Sequence, residues 1–160
     1  MSFPFQSGDD VKLLQQEKEA TLKVFNNAVA WEIGQLARQK VLAKNPNASA
    51  VIDISLLTGH KLFRAAVGSD TALDNESWVE RKVNVVRRFN HSSFYHQAKL
   101  TCNNKPNTLN EAEYAIHGGS FPIRLQNSDF VIATLTVSGL KQNEDHEIVY
   151  ETLKEIGNSQ

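Results

Sequence analysis

The stretch AVIDISLLTGHKLFRAAV, Ala50 to Val67, decides the fold class. From Ala50 to Leu57 it is rich in β-branched residues and alternates. Ile52, Ile54 and Leu56 face one way, Asp53 and Ser55 the other. Thr58-Gly59-His60-Lys61 has turn composition, and Leu62 to Val67 reads as the returning strand. A second pair lies near the C-terminal end. Phe121 to Gln126 alternates, with Pro122 acceptable only at a strand start or edge. Gln126 to Asp129 is a turn. Phe130 to Val137 is apolar at nearly every position, as a central strand should be. Paired hairpins predict an α+β fold, with a small antiparallel sheet of four or five strands covered by helices.

The helices are read around these hairpins. Asp9 and Asp10 can cap a helix running to about Phe25, and Asn26 or Asn27 starts another through about Leu42. In the second, Val29, Ile33, Leu36, Ala37 and Val41 form one stripe, while Trp31 and Leu42 fall off it, either as a subunit contact or packed against the first helix. Gly34, at the stripe's edge, marks a close approach to a neighbouring element. A third helix is predicted from about Trp78 to Phe89, after a polar lead-in from Asp70 to Ser77. His91 to Tyr95 reads as a polar segment, Thr101 to Thr108 as a surface loop, and Glu111 to Ile116 as one helical turn. Asn143 caps a last helix through about Ile156.

Composition narrows the function classes. The 160 residues suit a single domain over 1–160, with 1–8 as a flexible N-terminal segment. The net charge of −1 lacks the basic surplus of a nucleic-acid binder. Cys102 stands alone, so neither an internal disulfide nor a cysteine zinc site is available, and a reducing, cytoplasmic setting is expected. No stretch approaches the ~20 apolar residues that span a bilayer.

The third helix carries the chemical oddity. Trp78, Val79, Val83, Val85, Val86 and Phe89 make one apolar face, and Lys82 falls inside it with Arg81 at the edge. An ammonium there needs a partner or a route to water. Either a carboxylate such as Asp53 or Asp74 pairs with it, which is the favoured reading, or it lines a pocket and meets an anionic ligand. The five histidines show no metal-ligand spacing, so no metal is expected. His117, before Gly118-Gly119, is placed to look into a cleft. It is a candidate heme ligand or acid–base group beside a structural reading. The two glycines offer a sharp strand entry or an anion nest. Ser92, beside His91, is a cap or turn residue, and Asp145-His146 reads as first-turn helix chemistry. No nucleophile–base pair is close in sequence and no cofactor motif is present, which ranks an enzyme below a binding or adaptor protein.

Taken together, certain segments resemble a known family. They are Ala72 to Trp78, Arg81-Lys82, His91 to Phe94, His117 to Ile123 and Val137 to His146, with Ala30-Trp31-Glu32 and Ile52-Asp53-Ile54. This set is similar to the GlcG/HbpS-like family, in its uncharacterised fungal and bacterial branch, from about Phe25 to the last helix. Ser120 departs from the small glycine or alanine frequent there, and no family heme ligand maps onto this chain. The resemblance implies a profilin-like sheet of about five strands with helices packed on it. It also implies homo-oligomers, as dimer-based rings or larger. Some relatives bind heme, and some fungal ones are linked to insertion of tail-anchored membrane proteins. The implied candidate pocket combines Asp74, Asn75, Trp78, Arg81 and Lys82 with His91, Ser92, His117, Gly118 and Gly119. The implied function is a homo-oligomeric cytosolic protein binding heme or another anionic small molecule. The alternative is a non-catalytic oligomeric adaptor with a protein partner.

Overall fold

The alternation in the first hairpin becomes two faces of a sheet. In the computed structural model, which describes residues 3–160, β1 (Ala50–Leu56) and β2 (Lys61–Val67) pair antiparallel, Ile54 opposite Phe63 and Asp53 opposite Arg64. The second pair is β3 (Ser120–Ile123) and β4 (Ala133–Ser138), with Phe121 opposite Leu135. β4 also pairs with β1, giving one antiparallel sheet in the order β2-β1-β4-β3. The strand carrying Pro122 is an edge, where a missing N–H costs least.

The sheet has four strands where about five were expected. Leu22 lies parallel to Leu125, with its N–H on the Arg124 carbonyl and its carbonyl accepting from Gln126. Leu22 sits in the short passage between two helices, too short for a ladder.

Those helices are α1 (Asp9–Glu19) and α2 (Asn27–Lys44); α1 ends six residues before the expected Phe25. Asn26 caps α2 by accepting the Val29 N–H at 2.9 Å. The third helix, α3 (Leu73–Phe89), begins five residues earlier than the apolar pattern suggests. Asp74, Asn75 and Glu76 belong to its first turn, and Asn75 Oδ1 accepts the Ala72 N–H at 2.9 Å. Asn90, at φ 63°, ends it. A helix not foreseen follows, α4 (Ser93–Cys102), with Ser92 Oγ capping the Tyr95 N–H at 3.0 Å. Its buried positions are only Ser93, Phe94 and Ala98, too few for a visible apolar stripe. The last helix, α5 (Gln142–Ser159), starts at a Lys141 N-cap and not at Asn143.

Register sorts the side chains. Ile52, Ile54, Phe121, Ile123, Leu135 and Val137 face α2 and α5 and form the main core. Ser120, Asp53, Ser55, Thr134, Thr136 and Ser138 point to the other face and are also buried. α3 lies over that polar face. Gly34 permits the predicted close approach, because the Phe63 ring occupies the space a Cβ would need. Trp31 remains 58% exposed and stacks edge-on against Phe63. In the N-terminal segment, residues 1–2 lie outside the described residues, while Phe3 and Phe5 rest against Phe94. No helix among the described residues is long and apolar enough to cross a membrane.

Candidate functional site

The polar face explains how a lysine can sit on a buried helix stripe. Lys82 is 3% exposed, and its Nζ donates to Asp145 Oδ2 at 3.2 Å and to the Val137 carbonyl at 3.4 Å. Asp145 in turn accepts the Gly139 N–H at 3.2 Å and the Leu140 N–H at 3.1 Å. The pair therefore ties α3 to the end of β4, the following turn and the first turn of α5. Burial pushes the Lys82 ammonium below its ordinary pKa and the Asp145 carboxyl above its own; in both, the partner's charge pulls the opposite way.

The expected partners were Asp53 or Asp74, and the structure corrects both. Asp53 is fully buried but is claimed by Arg64 Nε at 2.9 Å, Lys61 Nζ at 3.2 Å and Ser55 Oγ at 2.7 Å. Asp74 is exposed on the first turn of α3. A signal for Asp145 was present: it lies three and four residues before Ile148 and Val149, on the inner stripe of the last helix.

Above this pair opens a cleft of about 380 Å³. Asp74, Asn75, Trp78, Lys82 and His117 line it, together with Asp145, Ser138, Gly139, Leu140 and Gln142. His117 is solvent-exposed at the rim, edge-on to Trp78 with centroids 4.9 Å apart. Its side chain has no hydrogen bond among the described residues. Loss of solvent on its cleft side, then the charges of Lys82 and Arg81, hold its pKa below the usual value, so the ring is neutral at pH 7. Arg81 stacks its guanidinium 4.1 Å over Trp78 and donates to the Glu111 carbonyl at 3.1 Å.

The remaining sequence candidates fall elsewhere. The Gly118 N–H is taken by Gln142 Oε1 at 3.3 Å, so that amide is not an open anion donor. Gly119, at φ 139°, lies where a Cβ would meet the Val137 carbonyl and, at 2.8 Å, Lys82 Nζ. Its need for glycine comes from the positive φ and the Val137 carbonyl, with the ion pair behind it as a further obstacle. His91 and Ser92 leave the cleft altogether: both bond to Glu17, His91 Nδ1 at 3.0 Å and the Ser92 N–H at 3.1 Å. Among the described residues, no group of three or more His, Cys, Asp or Glu side chains could hold a metal ion.

Known proteins share this architecture. The UPF0303 protein YBR137W of Saccharomyces cerevisiae is 39% identical over 153 residues, covering 92% of this chain and 83% of that protein. Its crystal structure superposes with a TM-score of 0.88 at 37% identity, over 94% of this chain and 89% of that one. A UPF0303 protein of Psychromonas ingrahamii is 37% identical over 148 residues, 90% of each chain. A crystal structure of a PduOC:heme complex shares the fold at a TM-score of 0.66 and 12% identity, covering 83% of this chain and 94% of that one. The family model described as haem degrading protein HbpS-like matches residues 25–154, and the chain belongs to that family.

Proposed function

We propose that this chain is a homo-oligomeric cytosolic protein that binds heme or another anionic small molecule in the Trp78–His117 cleft. The observation that carries this reading is His117. A neutral imidazole with no hydrogen-bond partner among the described residues, beside Trp78 on a cleft wall, would suit an iron ligand. A bound heme would supply iron-centred ligand and redox chemistry. This chain's contributions would be the His117 ring nitrogen and the Trp78 face. The cleft lies near the lower end of the ~300–1,000 Å³ usual for ligand sites. Lys82 is not an open anion receptor, because Asp145 already meets its charge, and Arg81 does not line the cleft.

The test is hemin titration of the purified protein, read by its Soret band. A shift at micromolar protein, weakened about tenfold or more in His117→Ala, supports the reading. An unshifted band with wild-type protein rejects the heme version. The adaptor reading draws on one observation, the exposed Trp31 held by Phe63. Cytosolic partners recovered with wild type and lost with Trp31→Ala would favour it over a ligand-binding role; unchanged recovery would remove Trp31 from the case.

A further inference from the structure

A second cleft, of about 610 Å³, opens between α1, the end of α3 and the turn after β3. Its floor is Glu17, a carboxylate 5% exposed on the buried side of α1. Three groups converge on it. The Ser92 N–H donates to Oε2 at 3.1 Å, Arg124 Nη1 donates to Oε1 at 2.8 Å, and His91 Nδ1 lies 3.0 Å from Oε1. An amide N–H and a guanidinium can only donate, so the carboxylate serves as acceptor throughout. His91 Nδ1 is then also a donor, which leaves Nε2 as the ring's lone-pair nitrogen. That nitrogen has no hydrogen bond among the described residues, and His91 lines the cleft.

The other charged groups do not compete for it. Arg124 is spent: Nε donates to the Asp129 carbonyl at 3.2 Å, and Nη2 donates to the Asn90 carbonyl. Lys18 and Asp129 stand on the exposed walls, Tyr95 packs against the His91 ring at 5.0 Å, and Leu14 and Leu125 supply apolar lining.

The geometry points to a second small-molecule site, in which His91, oriented by Glu17, is a proton acceptor for a neutral ligand carrying a hydroxyl or activating a water. Glu17 is a positioning residue. The site is separate from the Trp78–His117 cleft and stands or falls without it. With a neutral ester the step balances as follows. Nε2 takes one proton from a water while the water oxygen bonds the carbonyl carbon. The ester C–O bond breaks with its electron pair going to the leaving oxygen, and Nε2 gives that oxygen the proton it took, so that acid and alcohol form and the ring is neutral again.

Two measurements test this on the full chain. Nitrogen-15 NMR of the histidine side chains should show His91 in the Nδ1–H tautomer at pH 8; a dominant Nε2–H form overturns the proposal. Glu17→Gln should abolish that tautomer preference, and if this variant fails to fold, the wild-type spectrum still decides. Hydrolysis of p-nitrophenyl acetate is the second readout. The protein-dependent rate should fall about tenfold or more in His91→Gln. It should be unchanged in His60→Gln, which alters an exposed turn histidine. A rate undiminished in His91→Gln, or lost equally in His60→Gln, overturns the proposal.

Discussion

Replacing Lys82 by methionine tests whether the buried pair holds the fold together. The side chains have similar length, so the change removes charge and hydrogen bonds more than volume. It leaves Asp145 at 1% exposure with only the Gly139 and Leu140 amides. Breaking a buried pair from one side costs about 3–5 kcal/mol, a large part of the ~5–15 kcal/mol that keeps a domain folded. At about 2–4 °C per kcal/mol for a chain of this size, the midpoint should fall by roughly 6–20 °C. Adding Asp145→Asn removes the stranded charge and should recover about 1–3 kcal/mol. The assay is urea unfolding of wild type, both single variants and the double variant, closed as a cycle. There is a pH signature as well. In Lys82→Met the Asp145 carboxyl keeps its burial and loses its counter-charge, so its folded pKa stays above the unfolded value. Such a group favours the fold below the unfolded value and loses that contribution as pH rises through the folded one. The variant's deficit should be largest at pH 7 and narrow as pH falls toward about 4. An unchanged midpoint in Lys82→Met, or a cycle with no coupling, would refute the reasoning.

His146 is a separate pH liability. It is 2% exposed, Nε2 lies 2.7 Å from Gln16 Oε1, Nδ1 is buried without a partner among the described residues, and burial takes its pKa down to about 3. Between the unfolded value and that one, the unfolded chain binds a proton that the native state does not, so stability is lost as pH falls. At pH 4.5 the loss should be roughly 2–3 kcal/mol relative to pH 7, and it should be absent in His146→Gln. Equal acid loss in both proteins would contradict this. Gly119→Ala should cost more than about 2 kcal/mol, because the new methyl meets Lys82 Nζ and the Val137 carbonyl. Gly59→Ala, at φ 93° with nothing within 4 Å, should cost only about 1 kcal/mol by urea unfolding.

Much of the fold was legible because it rests on short-range periodicity. The two-residue alternation of Ile52, Ile54 and Leu56 against Asp53 and Ser55 placed β1 and divided its faces. Pro122 marked an edge strand, and the stripe of α2 needed no tertiary information. α4 was missed because a short helix with three buried positions leaves little pattern. The first turn of α3 was missed because capping residues look like loop residues until the helix is seen.

The sites divide in the same way. The sequence by itself determined that a charge sits inside the apolar stripe of α3, since helical period alone brings Lys82 between Val79 and Val86. It also placed Trp78 on the same apolar face, whereas Asp74 and Asn75 joined that helix only in the structure. Only the tertiary structure decided what meets the charge. Asp145 is 63 residues away, brought to Lys82 by the pairing of β4 in the sheet and the turn that starts α5. The same holds for His91, which reads as a neighbour of the Lys82 helix but pairs with Glu17, 74 residues earlier. Spacing along a chain specifies which residues share an element's face. Which faces meet is settled by packing whole elements, where burial of apolar area outweighs the preference of any single polar group.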